Sequence, residues 1–173
     1  NYASKIGNTD NNTVVFVGQN RDSSESLKDG ESKGTYETRR NQFSLVNNTQ
    51  FSSDVQLNVG VDHYQDDISG TTDVFPEDQR DTTGVFAHSL VTHNNFSYEA
   101  TVRYDDVEKV DSEVTYNAGI GYKFNSDSRV FLNYGTGFKA PTFNDLYSPY
   151  GGNPELTSEI SESAELFFET TFS

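Results

Sequence analysis

The stretch Val114 to Thr142 (VTYNAGIGYKFNSDSRVFLNYGTGFKAPT) limits what this chain can fold into more than any other. Val114, Tyr116, Ala118, Ile120, Tyr122 and Phe124 recur at every second position, while Thr115, Asn117, Gly119, Gly121 and Lys123 fill the positions between. After the polar turn Asn125-Ser126-Asp127-Ser128 the alternation resumes, with Val130, Leu132, Tyr134 and Phe138 opposite Asn133, Gly135, Gly137 and Lys139. Strict period two on both sides of a tight turn is the pattern of a β-hairpin, because successive strand side chains point to opposite faces. Each arm runs about ten residues, roughly the length of a tilted strand that crosses a bilayer. One face is aromatic and β-branched. The other is small and polar, as suits a strand lining a wet lumen.

Composition narrows the choice further. The 173 residues suffice for one domain. There is no Cys, Met or Trp, so a disulfide framework, thiolate metal ligands and a cysteine nucleophile are excluded. With Asn1 first and no Met, the chain is expected to begin inside a longer protein. No signal peptide is visible and no apolar run approaches the ~20 residues of a membrane helix. A mean hydropathy of -0.72 does not argue against a membrane barrel, whose alternating strands keep the average low. A net charge of -15, from 27 acidic and 12 basic residues, speaks against a nucleic-acid partner, since phosphate binding needs clustered Lys and Arg.

The same alternation recurs along the chain, giving about eight strands and no amphipathic helix. The expected strands are Thr13 to Gln19, Tyr36 to Phe51, Val55 to Tyr64, Thr83 to His93, Phe96 to Asp105, the two arms of the hairpin above, and Ala164 to Phe172. The connections alternate as well. Ser52-Ser53-Asp54, Asn94-Asn95 and Asn125 to Ser128 read as tight turns, whereas Gly18 to Thr35, Gln65 to Asp81, Asp105 to Glu113 and Ala140 to Glu162 read as long links. Short turns at one end and long loops at the other define the outer-membrane barrel. The expected fold class is therefore all-β, an antiparallel meander that forms a slice of a transmembrane β-barrel.

The segment Tyr134 to Glu159 (YGTGFKAPTFNDLYSPYGGNPELTSE) resembles the barrel of TonB-dependent outer-membrane receptors, most closely those of the vitamin B12 type. The resemblance is carried by Gly135, by Phe138-Lys139-Ala140-Pro141, by Thr142 to Tyr147, by Asn153-Pro154-Glu155-Leu156 and by Glu159. Arg80 to Ala87 is similar to the receptor strand beginning D-x-T-G-V-F-A-Q, and Val102 to Asp106 to the L-R-Y-D-D strand end. His88 in place of Gln, and Thr157-Ser158 in place of a basic residue and Pro, depart from the family pattern. The resemblance implies a cell outer-membrane location in a Gram-negative bacterium and contact with outer-membrane lipid. It also implies import of a scarce nutrient, a corrinoid such as vitamin B12 or else an iron chelate, with TonB acting through a plug. Residues 1–173 contain no plug-like segment and read as a partial barrel domain. Two other classes stay open: a small complete barrel with a structural or adhesive role, and a soluble all-β enzyme.

Candidate site residues fall in two groups. Phe143, Asn144, Tyr147, Tyr150 and Asn153 lie in the long link after Lys139 and are the candidate ligand-binding set. The aromatic members offer flat apolar surface with polar tips for a large, partly apolar ligand. Asp62, Asp66, Asp67 and Asp73 are a candidate calcium set, since carboxylate oxygens suit a hard cation, although no EF-hand loop occurs. No catalytic residue is expected. His63, His88 and His93 lack zinc-ligand spacing. The pairs Asp66-Asp67 and Asp105-Asp106 read as solvated charge in acidic loops rather than as a glycosidase pair. Gly135-Thr136-Gly137-Phe138-Lys139 lacks the spacing of a phosphate loop.

One expectation concerns the slice in water. Its apolar face, bearing Tyr98, Val102, Val114, Tyr116 and Ile120, has no lipid, and its sheet has two open edges that favour self-association. The favoured outcome is inversion, with the sheet curling or dimerising so that the apolar face becomes a dry interior.

Overall fold

The computed structural model describes residues 2–6, 9–70, 78–148 and 151–171. It contains one nine-stranded sheet whose strands lie in sequence order, each antiparallel to its neighbours. The strands are β1 (Tyr2–Ile6), β2 (Thr9–Lys28), β3 (Glu31–Ser52), β4 (Val55–Gly70), β5 (Gln79–His93), β6 (Phe96–Val107), β7 (Ser112–Lys123), β8 (Ser128–Lys139) and β9 (Glu159–Thr170). Among the described residues a single short helix, α1 (Phe143–Tyr147), stands between β8 and β9. All eight strands read from the sequence are present as β2 to β9, and β1 is additional.

In an antiparallel meander successive connections alternate between the two ends. The turns at Ser53-Asp54, Asn94-Asn95 and residues 124–127 therefore share one end, opposite the connections after β4, β6 and β8. The three turns and three of the long links read from the sequence thus fall at opposite ends, but the segregation is not strict, because the two-residue turn between β2 and β3 shares the end of the long links. Local chemistry explains the tight turns: Asn94 takes the left-handed conformation at φ 54, and Asn125 Oδ1 accepts from the amides of Asp127 and Ser128 at 2.9 and 2.8 Å.

All four long links are shorter than expected: Gln65 to Asp81 and Ala140 to Glu162 lose their ends to β4, β5 and β9, and the other two change more. Gly18 to Thr35 is not a loop: β2 and β3 pair as far as Lys28 with Glu31 and reverse at Asp29-Gly30. Both turn residues have positive φ, 56 and 81, as a two-residue hairpin turn requires. The arms here are polar on both faces, so the apolar alternation vanishes while the backbone ladder continues. With 20 and 22 residues, β2 and β3 exceed the roughly nine to eleven that span a bilayer. The hairpin tip stands clear on the long-connection side. Likewise Asp105 to Glu113 is mostly strand, with only residues 108–111 between β6 and β7.

Register aligns the apolar positions into one continuous band. Leu45 faces Val61, Val61 faces Val85, Val85 faces Tyr104, Val102 faces Tyr116, Tyr98 faces Ile120, and Ile120 faces Leu132. This band is the exposed face: Val102, Tyr116 and Ile120 are 51%, 46% and 40% accessible. The sheet of the single chain thus does not curl over its apolar face. The reason lies on the other face, where charged side chains interlock and α1 packs; curling the apolar face inward would tear both apart. Near the short-turn end, Phe96, Tyr122 and Phe124 stack on this apolar face, with centroids 4.8 Å (Phe96–Tyr122) and 5.1 Å (Tyr122–Phe124) apart. Such a ring suits the aromatic girdle at a membrane interface.

Candidate functional site

On the polar face, Arg40 and Arg80 stand level with Asp66 near the loop-bearing end, and Arg103 stands further along the strands, opposite Phe86. Arg103 on β6 donates from Nε and Nη2 to Asp105, at 2.7 to 3.0 Å, and from Nη1 to Asp62 Oδ2 on β4 at 2.9 Å. It reaches β4 across β5 because the intervening residue is Gly84. A Cβ there would stand 2.0 Å from Arg103 Nη2 and 2.5 Å from an Asp105 carboxylate oxygen. Arg40 on β3 grips Asp66 with two bonds, at 2.6 and 2.7 Å, and its guanidinium lies 4.6 Å from the Tyr64 ring centroid. Asp66 and Asp105 are among the most buried polar residues, which bidentate pairing with arginine permits.

Arg80 on β5 sits opposite Asp66 in register but turns to the loop after β8. Its Nη1 donates to the Pro141 carbonyl at 2.7 Å and its guanidinium covers the Phe143 ring at 4.9 Å. This contact brings α1 over the polar face of the early strands. Phe143 and Leu146 are the buried residues of α1, and Leu146 is the most enclosed large side chain described.

The helix is locally determined. Thr142 caps it: Asp145 N–H donates to Thr142 Oγ1 at 3.2 Å, and Thr142 N–H donates to Asp145 Oδ2 at 2.9 Å. This reciprocal box satisfies two otherwise orphaned donors. The returning chain packs on it, with Asn153 N–H bonded to the Asp145 carbonyl at 2.8 Å. Gly152 permits the approach, since a Cβ would meet Ser148 and Leu146 backbone at 2.5 to 2.8 Å.

The bonds from Thr142 hold the Asp145 carboxyl below the ordinary aspartate value, with desolvation opposing. A depressed carboxylate contributes order above its unfolded pKa, about 3.9, and loses it as pH falls through the lower folded value. Amide exchange over residues 142–148 is therefore expected to stay slow down to below pH ~3.9 and then accelerate. In Asp145→Asn the same amides exchange faster at neutral pH. Equal protection in both proteins would contradict this role for the box.

The sequence-read ligand set is partly assembled. Asn144 is exposed beside a cavity of about 290 Å³ under α1. Phe143 is committed to Arg80, and Tyr147 is half-buried with its ring 6.5 Å from Phe143. Asn153 is engaged within the loop, its Oδ1 accepting from Glu155 N–H at 3.0 Å. Tyr150 lies outside the described residues. The calcium set is not brought together: Asp62 and Asp66 share the polar face and pair with Arg103 and Arg40, whereas Asp67 points to the opposite face and pairs with Arg39. Asp73 lies outside the described residues. Among the described residues no group of three or more His, Cys, Asp or Glu could hold a metal ion.

The reading of Asp66-Asp67 and Asp105-Asp106 as solvated loop charge is corrected. Asp66 and Asp105 are buried in strands, and only their neighbours point outward. The arginines that hold them were missed. The usable signal was period two within one strand: Asp62, Tyr64 and Asp66 share a face, as do Arg103 and Asp105.

The fold is that of known receptors. It overlays the ferric enterobactin receptor PfeA of Pseudomonas aeruginosa with TM-score 0.77 at 13% identity, covering 98% of this chain and 31% of that one. The outer membrane protein OmpT of Vibrio cholerae gives 0.53 at 15% identity, covering 96% of this chain and 51% of OmpT. In sequence, the chain is 34% identical over 173 residues to the vitamin B12 transporter BtuB of Photobacterium profundum, covering 99% of this chain and 28% of that protein. It is 32% identical over 130 residues to BtuB of Vibrio vulnificus, covering 73% of this chain and 21% of that one. The chain thus spans under a third of the length of these curated relatives. The family model described as TonB dependent receptor-like, beta-barrel matches residues 1–173. The chain therefore belongs to the TonB-dependent receptor β-barrel family, and its strands stand in the outer membrane of a Gram-negative bacterium.

Proposed function

We propose that this chain is a slice of the barrel wall of a receptor that binds vitamin B12 outside the cell and imports it with energy relayed by TonB. The observation that carries the reading is the 34% identity to a vitamin B12 transporter across essentially the whole chain. The wall geometry agrees with it. A lipid-facing apolar band encloses a polar face, and a capped loop roofs that face at the end bearing the long connections. The work is binding and passage, with no covalent chemistry assigned to the described residues. The siderophore receptors that share the fold do so at 13% identity, which speaks for architecture and not for cargo. Calcium is no part of this reading, since Asp62, Asp66 and Asp67 pair with Arg103, Arg40 and Arg39.

Growth on limiting vitamin B12 tests the reading. A strain lacking the full-length gene is expected to lose growth on nanomolar cyanocobalamin and to recover it with the gene restored. Unimpaired uptake of labelled cyanocobalamin in that strain would reject this cargo.

A further inference from the structure

The lipid-facing side of β2, β3 and β4 changes character where the apolar band ends, and it does so over a groove. The last apolar step towards the long connections is Val17 and Phe43, beside His63, with Val17 75% accessible. The next step on the same face is Gln19, Asn41 and Gln65, and these six residues are in the lining of an open groove of about 530 Å³. Gln19 Nε2 donates to Asn41 Oδ1 at 2.7 Å, which leaves Gln19 Oε1 and Asn41 Nδ2 for another partner. One step further stand Arg21 and Arg39, directly opposite each other in register. Like charges so placed repel and destabilise a sheet. By register, neither partner carboxylate stands between them and the groove: Arg21 pairs with Glu37, one step farther from the band, and Arg39 with Asp67, one strand along. The bonds to Asp67 are long, at 3.4 Å, and Arg21 gives Glu37 one nitrogen. A guanidinium has five N–H donors, so both arginines keep donors to spare. Their side chains are 66% and 49% accessible.

We infer that this strip of the outer wall is a site for the phosphorylated head of a membrane glycolipid. The groove is continuous with the apolar band that meets lipid, so an acyl chain lying on Val17 and Phe43 leads into it. The amides and His63 offer donors and acceptors at the level of the sugar hydroxyls. The arginine pair stands beyond Val17 by about 13 Å along the strand, or about 10 Å along the membrane normal at a barrel's tilt. A phosphate at that height accepts from both guanidiniums and removes the repulsion between them. An uncharged sugar head leaves that repulsion in place. The site is independent of the cargo, because it lies on the face opposite the lumen.

The test is native mass spectrometry of the full-length receptor in detergent, titrated with bisphosphorylated lipid A and with the same lipid stripped of its phosphates. Wild type is expected to hold the phosphorylated form at least about fivefold more tightly. The variant Arg21→Gln/Glu37→Gln/Arg39→Gln/Asp67→Asn removes both ion pairs at constant net charge. It is expected to abolish the preference with thermal unfolding unchanged. Arg39→Gln/Asp67→Asn alone is expected to lower the preference at least about twofold. Arg129→Gln/Glu169→Gln removes an exposed ion pair on the lumen face and leaves the preference as it was. Equal retention of the two lipids by wild type overturns the site, as does a fourfold variant that keeps the wild-type preference. Loss of the preference in the Arg129/Glu169 variant would show a diffuse charge effect and overturns it too. Displacement of bound lipid A by millimolar inorganic phosphate would make the groove dispensable and overturns the glycolipid as occupant.

Discussion

Gly84→Val in the full-length receptor is expected to destabilise the barrel by about 3–5 kcal/mol, the range for breaking a buried ion pair. The side chain enters the slot through which Arg103 crosses β5, where even a Cβ would stand 2.0 Å from Nη2. Arg103 must then leave Asp62 or Asp105, and Asp105 is 2% accessible, so its carboxylate is left charged, enclosed and unpaired. Gly137→Ala is the contrast: its Cβ meets only the Ser161 hydroxyl, at 3.1 Å, and a rotamer change relieves that contact. Urea unfolding in lipid vesicles separates the two. A Gly84→Val protein as stable as Gly137→Ala would show that the triad contributes no net stability.

The second large effect follows from the apolar band. Val102→Arg is expected to cost about 2–4 kcal/mol in a bilayer, the range for a basic residue at the midplane of a barrel's lipid face. Asn117→Arg lies on the opposite face of the neighbouring strand and meets water, with an expected change of about 0.5 kcal/mol or less. The asymmetry is the diagnostic feature. Equal costs at the two positions would mean that both faces are covered by protein, as in a soluble sandwich.

What could be read from the sequence was whatever obeys period two over a whole strand. Phe96 to Asp105 and Val114 to Phe124 fix their own faces, because one register slip would put Tyr98 or Ile120 in the lumen. The β2–β3 extension was hidden because a strand polar on both faces leaves no periodic trace, and only Asp29-Gly30 marked its turn. The arginine network was hidden for a different reason. Arg40 and Asp66 are 26 residues apart and Arg103 and Asp62 are 41, so the pairs exist only once strand order and register are known. α1, five residues long, is too short to show a helical period. Its signature was instead Thr142 three residues before Asp145, a capping box inside the loop. A far larger separation in sequence divides the members of the cavity: Asn20 and Asn144 come together through the meander, and nothing local pairs them.

The central claim is that this sheet turns its apolar face to lipid and its polar face to a wet lumen. Nitroxide labels at single cysteines along β7, in the full-length receptor in bilayers, test it most directly; this stretch has no native cysteine. Labels at 116, 118 and 120 are expected to collide readily with oxygen and poorly with a water-soluble nickel chelate, and labels at 115 and 117 to do the reverse. The opposite phase, or loss of the two-residue period, would contradict the account.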